Sequence, residues 1–191
     1  MSALPKSNIE NNWTLAEYHL LAQSPDTKYE FAGGMILSMT GASLRHNRIT
    51  RNVTVKLSNL LKGHPCEALP SDMRVRTPSG LYAYPDVTVV CGDVQIEVDH
   101  GLDTLLNPTV IVEVLSPSTA DYDSRVKLDH YQTLASLHEY VLIDQAQPHI
   151  KTYSRHGEGQ WLYTMVNGLD ASIALPSIEV TLALADIYAQ V

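Results

Sequence analysis

At 191 residues with a formal net charge of −8, the chain has the size of one domain that buries about 70% of its unfolded surface. Its acidity excludes a protein that coats nucleic acid by bulk attraction. No apolar run approaches the roughly 18–20 residues that span a bilayer, and the N-terminus has no basic-then-apolar leader pattern. The expectation is a single cytoplasmic domain over residues 1–191 with no membrane segment. The charge is uneven: residues 1–70 carry seven Lys/Arg against five Asp/Glu (+2), and residues 71–191 carry six against sixteen (−10). A basic face beside an acidic site is therefore compatible with the sequence, and bound divalent metal would offset part of the acid.

The first predicted element is a short helix from Thr14 to Ala22, with Thr14 and Glu17 spaced as a capping box. Tyr29 to Thr40 holds Gly33-Gly34 between two apolar runs, a hairpin signal. Residues 43–62 form a longer helix. Ile49, Val53, Leu57 and Leu60 share one face of it, and Arg48, Arg51 and Lys62 the opposite one, which reads first as a solvated face. Cys66 to Arg76 and Tyr82 to Cys91 read as strands around the Thr77-Pro78-Ser79-Gly80 turn, and Gly92 to Asn107 as a polar connection. The single cysteine pair, Cys66 and Cys91, has no metal-type spacing and does not suggest a disulfide scaffold, so a reducing compartment is expected. A strand over residues 108–115 ends at Ser116-Pro117-Ser118-Thr119. Ser118 or Thr119 is placed to cap a helix over residues 120–137, with Asp121 and Asp123 in its positive first turn. Strands at 138–144, 148–154 and 160–166 and a helix at 182–189 complete the chain. Strand, helix, strand over 108–144 is a crossover unit, so part of the sheet is parallel.

Chemistry enters through two misplaced charges. Glu113 sits inside Val110-Ile111-Val112-Glu113-Val114-Leu115, a run that reads as a central strand buried on both faces. An ionised carboxylate there is costly unless it is paired or bound to metal. Upstream, Pro85-Asp86 opens the strand Val87-Thr88-Val89-Val90-Cys91. Two acids at adjacent strand ends make an oxygen-rich cradle suited to Mg²⁺ or Mn²⁺, and such an ion activates water and stabilises charge on a phosphate. Lys127, on the helix after the Glu113 strand, borders the side marked by Val126, Tyr131 and Leu134, so its amine can reach back over the sheet. The competing reading is a buried Glu113–Lys127 salt bridge, with Asp86 a simple turn acid.

Other signals are weaker. Ser124-Arg125-Val126-Lys127 matches the Ser-x-x-Lys pattern of serine acyl-enzymes, but Ser71-Asp72-Met73 and Lys151-Thr152-Tyr153 fail as its companion motifs. The histidines are scattered, which argues against zinc, although His46 and His130 lie on helices that approach the site. Tyr82, Tyr84, Tyr122 and Tyr131 fit a nucleic-acid surface or half-buried sheet positions equally well. Gly33-Gly34 is a turn and no phosphate loop.

Several motifs together resemble a known family. Tyr84-Pro85-Asp86-Val87, Val112-Glu113-Val114-Leu115-Ser116-Pro117-Ser118-Thr119, Lys127-x-x-x-Tyr131 and Glu139-Tyr140-Val141-Leu142-Ile143-Asp144 are similar to those of the Uma-type restriction endonuclease family, within the PD-(D/E)XK nuclease superfamily. Tyr29-Glu30-Phe31-x-Gly33-Gly34, Leu175-Pro176 and Leu182 to Tyr188 extend the resemblance along the chain. It implies an α/β restriction-endonuclease-like mixed β-sheet flanked by helices. It also implies Mg²⁺- or Mn²⁺-dependent hydrolysis of phosphodiester bonds in nucleic acid, DNA before RNA, with a homodimer for cutting both strands. By that resemblance Asp86 and Glu113 are the metal ligands, Glu30 is an additional acid, and Lys127 completes the catalytic set. One departure stands out: the superfamily lysine belongs two residues after the second acid, where this chain has Leu115. Two rival functions remain. A non-catalytic nucleic-acid- or protein-binding module that retains the fold is kept open by Leu115 and gains if Lys127 points to solvent. A metal-dependent hydrolase of a small phosphorylated molecule gains from a closed pocket in place of an open groove.

Overall fold

The computed structural model describes residues 12–39, 41–99 and 101–191, so the extreme N-terminus, the end of the first predicted hairpin at Thr40 and His100 lie outside the described residues. Helix α1 (Leu15–Ala22) starts at the expected capping box, in which Thr14 accepts the Glu17 N–H and the Glu17 carboxylate reaches back to Thr14. Strands β1 (Tyr29–Ala32) and β2 (Met35–Ser38) pair around Gly33-Gly34, both at positive φ, the backbone region glycine enters without a Cβ penalty. Helix α2 (Leu44–Leu60) is capped by Ser43 and buries Ile49, Val53 and Leu57. Strands β3 (Cys66–Pro70), β4 (Arg74–Arg76), β5 (Tyr82–Ala83) and β6 (Val87–Cys91) follow.

The polar connection expected over Gly92 to Asn107 is instead a hairpin of β7 (Ile96–Asp99) and β8 (Leu102–Leu105). In β7 the alternation is inverted, with Ile96 and Val98 exposed and the acids Glu97 and Asp99 half-buried against Arg76 and Arg74, so the acids read as a polar loop. After β9 (Val110–Leu115) comes a π-helical turn, Tyr122–Lys127, that runs into the short helix α3 (Leu128–Tyr131). The helix expected to reach residue 137 therefore ends at Tyr131. Leu134 and Leu137, which prolonged the apolar period, are buried from turns instead. No side chain caps its start; the hydroxyls of Ser118 and Thr119 bond to Ser116. Strands β10 (Glu139–Asp144), β11 (His149–Arg155) and β12 (Trp161–Asn167) match expectation closely. The C-terminal segment differs: β13 (Ser172–Leu175), a 3₁₀ turn at Pro176–Ile178, β14 (Val180–Ala183) and only one helical turn, α4 (Leu184–Ile187).

The result is a mixed α/β fold with two six-stranded sheets. One has the order β12-β11-β10-β9-β6-β3, with β9 and β10 parallel as the crossover required, and the other β2-β1-β5-β4-β8-β7. Alternation along β9 decides what the site can touch. Val110, Val112 and Val114 pack toward α2, β13, β14 and α4. Ile111 and Leu115 pack on the other side with Tyr131, Leu134 and Leu137 and with Ala32, Val75 and Ala83 of the second sheet. Glu113 shares that second face, between the two sheets. Tyr18 and Phe31 join α1 to the outer side of the second sheet.

Cys66 and Cys91 are directly opposed on β3 and β6 and are joined by a disulfide. Two free thiols in a reducing compartment were expected, and the pair does not support that compartment; register, invisible in the sequence, brings the cysteines together. Among the described residues no helix is long and apolar enough to cross a membrane.

Candidate active site

The site begins with strand register. Val87 lies opposite Val112 in the antiparallel β6–β9 ladder, so one step outward sets Asp86 beside Glu113. The Val114 N–H donates to Asp86 Oδ2 at 2.7 Å, which fixes the acid at the mouth of β6. Asp86 keeps 14% of its side chain exposed, whereas Glu113 is buried. The pair therefore runs from the rim of the sheet into the space between sheets.

Lys127 enters that space from the π-helical turn. Its Nζ lies 2.9 Å from Glu113 Oε1, 3.0 Å from Glu30 Oε1 and 3.1 Å from Asp123 Oδ1. Glu30 comes from β1 of the second sheet and also accepts the Tyr84 N–H at 2.9 Å. Tyr131 donates to Glu113 Oε1 at 3.3 Å, and Tyr140 donates to the Asp123 carbonyl at 2.9 Å. Leu115, where the superfamily lysine was wanted, lies on the same face of β9 and packs in the apolar cluster. The ammonium thus reaches Glu113 from the following helix.

Charge is not balanced here. Three buried carboxylates face one ammonium, two negative charges in excess if all ionise. Burial pushes Glu113 well above the usual carboxylate range; Lys127 opposes this, and Asp123, Asp86 and Glu30 add to it. Burial likewise raises Glu30 against the pull of Lys127. For Lys127 burial favours losing the proton, but Glu113, Glu30 and Asp123 together outweigh it and hold the amine well above its ordinary value. An ammonium engaged by three carboxylates, with no hydrogen bond to Ser124 among the described residues, argues against the Ser124-x-x-Lys127 acyl-enzyme reading.

All four expected residues, Glu30, Asp86, Glu113 and Lys127, come together. Two further residues join them, and the first was missed. Asp123, read as a first-turn helix acid, points inward; its i,i+4 spacing from Lys127 was the available signal. His46 approaches from its helix as expected and places Nε2 3.2 Å from Asp86 Oδ2. His130 instead meets Ser79 Oγ at 2.7 Å. The tyrosines do not form a nucleic-acid surface: Tyr82, Tyr84 and Tyr131 are buried, and the Tyr122 hydroxyl is buried without a partner among the described residues.

The donor set suits a hard divalent cation. Protein donors fall on Oε1 of Glu113 and Oδ2 of Asp86, leaving the other oxygen of each without a hydrogen bond among the described residues. No group of three or more His, Cys, Asp or Glu with metal-holding geometry occurs among the described residues. Mg²⁺ is commonly held by one or two carboxylates plus water and substrate phosphate, so two acids meet that need where a zinc cage would not be met. A groove of about 570 Å³ lies elsewhere, lined by Glu139, Thr152, Leu162 and Ser177 among others and by none of the site residues.

Comparison with known proteins follows the same lines. The profile of the Uma2 family, described as "Putative restriction endonuclease", matches residues 15–185. "Uncharacterized protein sll1609" of Synechocystis sp. (strain ATCC 27184 / PCC 6803 / Kazusa) is 37% identical over 161 residues, 84% of this chain and 90% of that protein. "Uncharacterized protein slr1290" of the same strain is 30% identical over 173 residues, 90% of this chain and 89% of that one. A crystal structure described as a putative nuclease belonging to DUF820, from Anabaena variabilis ATCC 29413, superposes with a TM-score of 0.76. It covers 93% of this chain and 98% of its own at 18% identity, a likeness of fold alone.

Proposed function

The chain belongs to the Uma2 family of putative restriction endonucleases, and from that premise we propose that it is an Mg²⁺- or Mn²⁺-dependent nuclease hydrolysing phosphodiester bonds in nucleic acid, DNA before RNA. A buried Glu113–Lys127 bridge is present, as the competing reading required, and the observation that carries the nuclease reading is the surplus of acid around it: Asp86 set beside Glu113 on the neighbouring strand, and three carboxylates, Glu113, Glu30 and Asp123, within 2.9–3.1 Å of the single Lys127 ammonium. Lys127 supplies from a helix the cation that Leu115 cannot supply from the strand. Lys127 in solvent would have favoured a non-catalytic module, and its side chain is only 4% exposed.

Asp86 and Glu113 would hold the metal through the oxygens that carry no protein donor. The bound cation acidifies a water and offsets charge on the phosphate. Lys127, kept protonated by three acids that engage its three N–H donors, would offset negative charge developing on the phosphate as a fixed positive charge, or orient the attacking water by exchanging one of those contacts for it. Glu30, anchored by the Tyr84 N–H, and Asp123 hold that ammonium in place. Nucleic acid and a second copy of the chain, for cutting both strands, are the partners this reading implies.

The test is calorimetric titration of Mn²⁺ into the wild type and into Asp86→Ala and Glu113→Ala, alongside nicking of supercoiled plasmid with and without EDTA. Saturable binding and nicking in the wild type, both lost in each folded variant, are expected. A wild type that neither binds Mn²⁺ nor cleaves DNA or RNA sinks the proposal.

A further inference from the structure

Asp86 has two oxygens, and the fold engages one. Oδ2 accepts the Val114 N–H at 2.7 Å and lies 3.2 Å from His46 Nε2. His46 arrives from the opposite layer, in the first turn of α2, where Ser43 Oγ accepts its backbone N–H at 3.1 Å. That turn is tied to the chain after β10. Ser43 Oγ bonds Gln145 Oε1 at 2.5 Å, and Arg45 donates to the carbonyls of Gln145 and Ala146 at 2.9 and 3.1 Å. Because Asp144 of β10 lies opposite Leu115 of β9, these bonds anchor the helix start beside the strand that carries Glu113. The other ring nitrogen, Nδ1, is 3.5 Å from Thr50 Oγ1, one helical turn on. Nε2, the nitrogen facing Asp86, can donate to the carboxylate from the Nε2–H tautomer or from the imidazolium. Both side chains are 14% exposed, so water competes little for this contact.

We propose that His46 is the positioning residue of the metal carboxylate: together with the Val114 N–H it occupies Oδ2 of Asp86 and leaves Oδ1 as the oxygen presented to the cation. The inference rests on the metal reading of Asp86 and Glu113. A rim carboxylate held by one amide still rotates, and a second donor from a separately anchored helix removes that freedom before the cation arrives. Partners that orient a ligand in this way commonly contribute 10–100-fold to metal affinity.

The test is Mn²⁺ titration of the full chain carrying His46→Ala, His46→Leu or His46→Gln, with thermal unfolding of each metal-free protein and electron-spin-echo spectra of the Mn²⁺-loaded wild type. His46→Ala should weaken binding about 10–100-fold, with His46→Leu, closer to the ring in volume, repeating the result if the truncation unfolds the helix start. His46→Gln, whose amide N–H reaches the same oxygen, should remain within about threefold of wild type, less than about 0.7 kcal/mol. The echo spectrum should lack nitrogen coupling from a directly bound imidazole. A purely structural role would lower the metal-free melting temperature in all three variants and leave Mn²⁺ affinity unchanged. Unchanged affinity in folded His46→Ala, or a ligand-type nitrogen coupling, overturns the inference while Asp86 and Glu113 stand as ligands. A wild type that binds no Mn²⁺ overturns the metal reading beneath it.

Discussion

Glu113 on β9 and Glu139 on β10 sit on neighbouring central strands, and both are buried. Their surroundings differ. Glu139 faces the 3₁₀ turn at Pro176–Ile178, taking the Ser177 N–H at 3.2 Å and the Ser177 hydroxyl, with no ion pair among the described residues. Glu113 faces Lys127, itself shared with Glu30 and Asp123. Neutral donors satisfy the first acid and fasten the C-terminal segment to the sheet. The second stands in a cluster with more negative charge than its ammonium cancels, and burial raises it accordingly. A buried acid on a central strand is therefore no mark of function by itself. The mark is an excess of buried charge that a ligand would relieve.

The largest effect that separates the two environments should come from Lys127→Met. It leaves three buried carboxylates without a counterion, a loss of about 3–5 kcal/mol at pH 8. Urea unfolding at pH 8 and pH 5 checks it. The loss should shrink at the lower pH, because burial already raises Glu113 and Glu30 and neutral acids need no partner. Ser177→Ala is the matching change at the other acid. It removes one neutral donor and retains the Ser177 N–H, for about 1–3 kcal/mol, with little pH dependence and unaltered Mn²⁺ affinity. Equal losses with equal pH dependence would erase the distinction.

Glu113 was legible because a charge inside an apolar strand violates the pattern around it, and Asp86 because it opens a second apolar strand. Lys127 was half legible: its helix was expected, but no pattern states how far a side chain reaches. Glu30 followed only from a family resemblance, since an acid in a short hairpin strand breaks no rule. Asp123 was hidden by a sound competing explanation, the preference for acids in a helix's first turn. The Asp86 partner of His46 was hidden by topology, because a polar helix face does not say which strand end it overlies. The fold shows the same division. Capping chemistry and glycines located α1 and the β1–β2 turn, whereas the acids of β7 and β8 imitated a loop. Leu134 and Leu137 extended α3 on paper, since burial from a turn and burial from a helix leave the same apolar letters.

The smallest expected change is also the one that most sharply separates a charge cluster from a simple salt bridge. Glu113→Gln keeps the side chain's shape and an acceptor for Lys127 and removes the charge. In an isolated buried pair, losing the carboxylate would orphan the ammonium at a cost of about 3–5 kcal/mol. Lys127 here keeps Glu30 at 3.0 Å and Asp123 at 3.1 Å, so it is not orphaned. The Glu113 carboxyl is raised above its ordinary value of 4.5 chiefly by burial. Its contribution to stability is thus fully present below the unfolded value and is lost as pH rises through the folded one. Lys127, raised above 10.5, keeps its contribution throughout that window and loses it only as pH rises through its own folded value. Glu113→Gln should therefore match the metal-free wild type at pH 4 and equal or exceed it at pH 8 by less than about 1 kcal/mol. Urea unfolding across pH 4–8 reads this directly. A variant several kcal/mol weaker at every pH would return Glu113 to the role of a structural partner of Lys127.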